Sequence, residues 1–359
     1  MSGAAPPLVL SVFSTFAIGG PQVRFVTLAN RLGGAFRHAI VAMDGDTACA
    51  ARLDPGLAIS WPEVAITKGD TLGNARRFRA ALRAIRPDVL VTYNWGTIEW
   101  AIANALLPVV RHVHIEDGFG PEERDTQIPR RVLTRRAVLR RATVVLPSRT
   151  LWRIATEAWR LPEARLRYVP NGVDLTRFAP APRPRGADVV IGTVASLRAE
   201  KNLGRLLHAF RALPDESRLV IAGDGPERPA LESLAAELGL GARVVFAGQH
   251  DDPAPLYRGF DIFAISSDTE QMPLSVLEAM AAGLPVAATD VGDIRAMLAE
   301  ENAGCVVPAD DAALAGALQH LAADAALRAR IGGANRAKAE RDFDEQGMVE
   351  AYRHLFAGS

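Results

Sequence analysis

Short apolar runs alternate with helix-length stretches twice along this chain, on either side of one proline-rich segment. In the first half, residues 8–13, 37–43, 88–92, 111–115 and 143–146 read as strands, and residues 21–32 and 74–85 as helices. Arg86-Pro87 stops the second of these helices, because proline cannot continue a helical ladder. Residues 179–186, with proline at every second position up to 184, read as a linker. The alternation then resumes, with strands at 189–195, 218–222, 243–247, 261–265 and 285–289 and helices at 203–213, 228–238, 311–322 and 345–356. Strands joined through helices run parallel, with right-handed crossovers. Two doubly wound α/β domains follow, with a cleft between them and ligand groups expected where strands end.

A chain of 359 residues has room for two such domains, and a 49% hydrophobic content suits packed cores. The longest apolar run, residues 100–110, is broken by Asn104 and Pro108. It falls short of the roughly 20 residues that span a bilayer. The start lacks a basic region followed by a long apolar stretch, so no secretory signal is expected and a cytoplasmic location is. Cys49 and Cys305 lie in different halves, which argues for a reducing compartment without a disulfide framework. No cluster of His, Cys, Asp and Glu has metal-ligand spacing, so no metal is expected.

Net charge is zero but unevenly spread. Residues 1–180 hold 24 basic against 15 acidic side chains, and the remainder 17 against 26. Much of the basic excess lies in Arg130, Arg131, Arg135, Arg136, Arg140 and Arg141. Such a segment is either a solvated helix or a face for an anionic partner such as a membrane surface.

The densest chemistry lies in residues 266–280. Pro273 fits the first position of a helix, with Leu274, Leu277 and Met280 at helical spacing. Glu270 then sits on the loop at the helix mouth and Glu278 about one and a half turns in. Free N–H groups at that mouth would hold a phosphate between two carboxylates, which accept hydrogen bonds from sugar hydroxyls. A purely structural reading also exists, since Ser275-x-x-Glu278 matches a capping box.

Other strand exits carry polar groups. Gly19-Gly20 joins a strand to a helix, and glycine lets backbone approach a ligand. Neither this loop nor Gly223-x-Gly225 has the Gly-x-Gly-x-x-Gly spacing of dinucleotide binders, which counts against a dehydrogenase. Lys68, Lys201 and Lys338 are the only lysines against 38 arginines, and Lys201 follows a strand together with Arg198. A compact ammonium fits between phosphate oxygens, although pairing with Glu200 on the surface is the simpler role. His114, Glu116 and Asp117 end another strand, with His114 and Glu116 on one face. Tyr93-Asn94-Trp95-Gly96 ends a further one, offering an aromatic platform and an amide to an acceptor.

Glu270…Glu278-Ala-Met-Ala-Ala-Gly-Leu-Pro-Val-Ala-Ala-Thr-Asp-Val-Gly-Asp resembles the signature of retaining GT-B glycosyltransferases of family 4, the glycogen-synthase-like clan. Gly19-Gly20, residues 169–174, Arg198…Lys201 and residues 222–226 resemble further segments of that family in the same order, over nearly the whole chain. The resemblance implies a GT-B fold, two Rossmann-like doubly wound parallel-sheet domains facing a central cleft. The implied division is residues 1–178 on the acceptor side, 179–340 for the nucleotide sugar, and a C-terminal helix in 341–359 returning to the first domain. Glu270 would contact the donor sugar and Glu278 the ribose, while Arg198 and Lys201 would hold the diphosphate. Gly19, Gly20, Gly223, Met272, Pro273, Leu274 and Ser275 would line the donor, and residues 171–174 would form the hinge. His114 or Asp117 would occupy the family's sugar-contacting histidine position. The implied activity is metal-free transfer of a sugar to a glycan, lipid-linked or small-molecule acceptor, in bacterial cell-surface glycan or glycolipid synthesis, with no nucleic acid involved. The alternatives are a nucleotide-sugar 2-epimerase-like isomerase of the same fold and a non-catalytic nucleotide-sugar-binding protein.

Overall fold

A computed structural model describes residues 5–105, 108–119, 121–123, 126–181 and 188–358. The proline-rich linker lies largely outside these residues, as do two positions of the long apolar run. Contacts divide the chain into two compact units, one of residues up to Pro170 together with those from Gln346 on, the other Asn171–Glu345. The division falls at the start of the 171–174 segment rather than at the proline-rich break. Asn171 is fastened inside the second unit, its Nδ2 donating to the Met272 carbonyl at 2.9 Å, and Val173 pairs with Asp344.

The first unit begins with β1 (Leu8–Phe13), α1 (Gly20–Leu32), β2 (Arg37–Ala42), β3 (Ile59–Ser60), α2 (Thr71–Ile85) and β4 (Val89–Tyr93). It continues with α3 (Ile98–Ala105), β5 (Arg111–Ile115), α4 (Pro129–Val138), β6 (Thr143–Leu146), α5 (Arg149–Glu157) and β7 (Leu166–Tyr168). Its seven-stranded parallel sheet has the order β3-β2-β1-β4-β5-β6-β7. On one face Phe13, Phe16 and Phe25 pack edge-on. On the other, Phe78 of α2 stacks on Trp100 of α3 at 4.4 Å.

The second unit comprises β8 (Val190–Val194), α6 (Leu203–Arg211), β9 (Arg218–Ala222), α7 (Arg228–Glu237), β10 (Val244–Gly248), α8 (Ala254–Arg258) and β11 (Ile262–Ile265). There follow α9 (Leu274–Ala281), β12 (Val286–Thr289), α10 (Ile294–Met297), β13 (Val306–Val307), α11 (Asp311–Ala323) and α12 (Ala325–Asp342). Its parallel sheet has the order β10-β9-β8-β11-β12-β13. The order reverses between β8 and β11, the point at which open α/β sheets bind ligands. The last helix, α13 (Glu345–Ala357), buries Met348, Val349, Tyr352 and Phe356 in the core of the first unit.

The sequence pattern does not announce α12, which has few large apolar residues. It packs through small ones: Gly332 lies against the Gly283 carbonyl where a Cβ would clash, and Asn335 donates to Leu284 O and Asn302 Oδ1. Among the described residues, no helix is long and apolar enough to cross a membrane. Cys49 and Cys305 are both buried and unpaired.

Candidate functional site

In the second unit, the loops leaving β8 and β11 start side by side because those strands pair. The first loop passes through extended Arg198, which is exposed, into a short 3-10 turn, Ala199–Lys201. The second carries Ser266 to Pro273. Lys201 Nζ donates to Glu270 Oε1 at 2.5 Å, and Ser267 Oγ donates to the same oxygen at 2.7 Å. The lysine side chain is 22% exposed and the glutamate 8%. Lys201 therefore pairs across 69 positions with Glu270 rather than with its neighbour Glu200.

Several further bonds hold the two loops in register. Asp268 N donates to Glu200 O at 2.9 Å, and Asn202 Nδ2 to Asp268 Oδ1 at 3.1 Å. Arg205 of α6 pairs with Asp268 at 2.8 Å and donates to Ser266 O at 2.6 Å. Two glycines permit this packing. Gly223, with φ +130°, lies against the Ala195 carbonyl beneath the Arg198 loop. Gly292, with φ +59°, lies against the Glu270 carbonyl, and a Cβ at either glycine would clash with backbone. Arg205 and Gly292 escaped the sequence reading. The Gly292 position, at least, was visible as the Val-Gly-Asp end of the long motif.

Pro273 is the N-cap of α9 rather than its first helical residue, and no side chain caps the helix. Leu274 and Ser275 open it, with backbone N–H groups that have no partner in the preceding turn. Glu278 does not form the capping box: its Oε2 accepts from Tyr257 Oη of α8 at 2.6 Å. Burial pushes the Glu278 carboxyl up to about 7, with the Tyr257 hydroxyl bond pulling downward. The residue stays partly exposed, so solvent offsets some of that penalty. Met272 has a buried side chain whose sulfur accepts the Asn171 N–H at 3.3 Å, and its carbonyl accepts from Asn171 Nδ2, so neither is open to a ligand.

The first unit arranges its strand-end groups differently. Gly19 precedes α1 in extended conformation, and a Cβ added at Gly20 would meet nothing within 4 Å. At Gly19 an added Cβ would meet Gln22 Oε1 at 2.8 Å, so only Gly20 is free of internal contact. Asp117, just past β5, forms a bidentate pair with Arg24 of α1 at 2.5 and 2.8 Å. Its N–H donates to Asn94 Oδ1 at 2.6 Å.

His114 is a correction. It is fully buried, with Nδ1 bonded to Thr92 Oγ1 at 2.8 Å and Nε2 at 3.5 Å from Glu116 Oε2. A side chain enclosed in this way does not touch a ligand, because strand alternation turns it into the layer between sheet and helices. Burial lowers its neighbour His112 to about 3, with His114 adding to the shift.

The arginine helix divides into a buried and an exposed set. Arg135 is completely buried, paired with Glu116 at 3.2 Å and Glu123 at 3.1 Å, and ringed by Trp95, Phe119 and Trp159 at 5.0–5.2 Å. Arg131 pairs with Glu122 and Glu123 and stacks on Trp95 at 4.9 Å. The Trp95 ring is thereby occupied by guanidinium groups and is no open platform. Arg130, Arg136, Arg140 and Arg141 remain exposed beside Leu133, which is 64% exposed. Among the described residues, no group of three or more His, Cys, Asp or Glu is placed to hold a metal.

Residues 18–177 match the family described as Glycosyltransferase Family 4, and residues 188–324 the family described as Glycosyl transferases group 1. The lipopolysaccharide core biosynthesis glycosyltransferase LpsE of Rhizobium meliloti is 32% identical over 175 residues, 48% of this chain and 51% of that protein. The D-inositol 3-phosphate glycosyltransferase of Salinispora arenicola is 28% identical over 398 residues, 94% of this chain and 88% of that protein. Of LpsE the match thus spans only about half the length. The crystal structure of Anabaena HepE in complex with UDP-glucose superposes with a TM-score of 0.81 at 18% identity, covering 98% of this chain and all of the other. With two parallel-sheet units, their strand order and both family matches in agreement, the chain belongs to glycosyltransferase family 4 and has the GT-B fold.

Proposed function

We propose that the protein is a retaining glycosyltransferase that moves a hexosyl group from a nucleoside diphosphate sugar to a glycan, lipid-linked or small-molecule acceptor in bacterial cell-surface glycan synthesis. The observation that carries this reading is the Lys201–Glu270 contact at the β8/β11 reversal. It joins a phosphate-binding cation and a hydroxyl-binding carboxylate at the point where such sheets bind ligands. Arg198, Lys201 and the first N–H groups of α9 stabilise the departing diphosphate, so this mechanism calls on no metal. Glu270 accepts hydroxyls of the donor sugar and Glu278 those of the ribose. Gly223 acts by letting the Arg198 loop lie close to its neighbour. Asp117 is clamped by Arg24 and serves as a hydrogen-bond acceptor rather than a free base.

LpsE is named for lipopolysaccharide core synthesis, and HepE was crystallised with UDP-glucose. The first name supports a cell-surface glycan as product, and the second a nucleotide sugar as donor. The test is incubation with labelled nucleotide sugars. Slow release of free sugar and nucleoside diphosphate is expected, accelerated by acceptor, and Lys201→Ala lowers turnover by about 10²-fold or more. Interconversion of sugars without release, or turnover untouched in Lys201→Ala, defeats the reading.

A peripheral membrane location for the acceptor is favoured by one observation, the exposed face of Arg130, Leu133, Arg136, Arg140 and Arg141 on and just after α4. Each such arginine contributes about 1 kcal/mol near an anionic surface. Co-sedimentation with anionic vesicles should fall when Arg130, Arg136, Arg140 and Arg141 are changed to Gln, with Arg135 left intact. Wild-type protein that ignores such vesicles at low salt counts against it.

A further inference from the structure

Resting on the donor-site reading above, we infer that Glu270 is a specificity determinant that competes with phosphate for Lys201, so that the site favours an intact sugar nucleotide over the bare nucleoside diphosphate. The Lys201 ammonium already has a partner. It is held by Glu270 Oε1 at 2.5 Å, in a pair whose glutamate is 8% exposed. A diphosphate must therefore take Lys201 away from a carboxylate before it gains the charge.

The loops themselves are tied to each other by bonds that do not involve the Lys201 ammonium. Asp268 bonds the Glu200 carbonyl, Arg205 bonds both Asp268 and the Ser266 carbonyl, and Ser266 Oγ donates to Lys201 O at 3.1 Å. Only the flexible four-carbon stem of Lys201 is left to swing. A ligand that carries phosphate alone leaves Glu270 behind with the Ser267 hydroxyl and no cation, in a largely enclosed place. Parting such a pair costs the modest amount that a partly solvated ion pair is worth, because the remaining charge loses its partner. A sugar nucleotide brings hydroxyl donors for Glu270 along with phosphate for Lys201, and so restores both. After transfer, the departing sugar removes those donors, and Glu270 takes Lys201 back from the nucleoside diphosphate product. The same exchange thus disfavours product inhibition.

The experiment is calorimetric titration of wild type, Glu270→Gln, and Glu270→Gln combined with Lys201→Met. The titrants are UDP, GDP and ADP, and UDP-glucose, GDP-mannose and ADP-glucose. Glu270→Gln is expected to tighten the bare nucleotide by on the order of fivefold, the size of one released ion pair. The sugar nucleotide should gain nothing or weaken, and the double variant should lose the gain in nucleotide affinity. Glu270→Ala, which also lacks the carboxylate, takes the place of Glu270→Gln should that variant not fold. Bare nucleotide bound equally or more weakly by a folded Glu270 variant overturns the inference while leaving the donor site standing. Absence of binding by wild type to every nucleotide overturns the donor-site reading and this inference with it.

Discussion

The two units place charge at their strand ends in opposite ways. In the first, Arg135 pairs with Glu116 and Glu123 out of contact with solvent, and three aromatic rings close the cage. In the second, Lys201 pairs with Glu270 and Glu278 with Tyr257, and Lys201 and Glu278 both keep some solvent contact. A charge that is caged by protein cannot change partners without dismantling the fold. A charge held by one partner at an open edge can. Burial thus separates a structural network from a site able to exchange ligands, even where both lie at the ends of parallel strands.

Breaking the cage should have the largest effect. Arg135→Met leaves buried Glu116 without its cation and Glu123 with Arg131 alone, and is expected to cost about 3–5 kcal/mol in urea denaturation. Lys201→Met should cost about 1 kcal/mol or less, since water reaches its site. Equal losses in the two variants would erase the contrast.

Gly292→Ala comes next. Its φ of +59° and its contact with the Glu270 carbonyl predict a cost of about 1–3 kcal/mol, together with slower turnover as Glu270 shifts. Full stability with unimpaired turnover would show that the Asp290–Asp293 loop does not hold Glu270 in place.

Acid should then separate the units. Burial lowers His112 to about 3 and His38 to about 4, so between those values and 6.5 the unfolded chain binds more protons. Their contribution is present above 6.5 and is lost as pH falls. Glu278 has the opposite sign: raised to about 7 from an ordinary 4.5, it is protonated in the fold while already ionised in the unfolded chain. Its contribution is complete below 4.5 and is lost as pH rises through 7. Hydrogen exchange at pH 5 and pH 8 should show the first unit opening more readily in acid, and Glu278→Gln should flatten the trend of the second. Parallel trends in both units would contradict these assignments.

The smallest expected effect is Arg136→Gln. This exposed side chain on the same helix as Arg135 should change stability by no more than about 0.5 kcal/mol. A larger loss would mean that the exposed face of α4 carries more than solvated charge.

Much of this architecture was legible in the sequence. Strand and helix periodicities are local properties, so β1, β5, β6 and β9 match the apolar runs residue for residue. Alternation of strand with helix was enough to require parallel sheets in two units, and the strand exits bearing Lys201, Glu270 and Asp117 were identifiable from their polar residues. Where each side chain went was decided by partners distant in the chain. Glu270 met Lys201 because β11 pairs with β8, and Glu278 met a tyrosine on α8 rather than its own helix terminus. His114 and Arg135 looked alike with other strand-end and helical cations until the layers closed over them. The helix α12 needed a neighbouring glycine backbone to pack against, which no apolar period encodes. Periodicity fixes which elements form because backbone hydrogen bonding is short-range. Burial and charge pairing belong to the tertiary structure because they depend on which strands become neighbours.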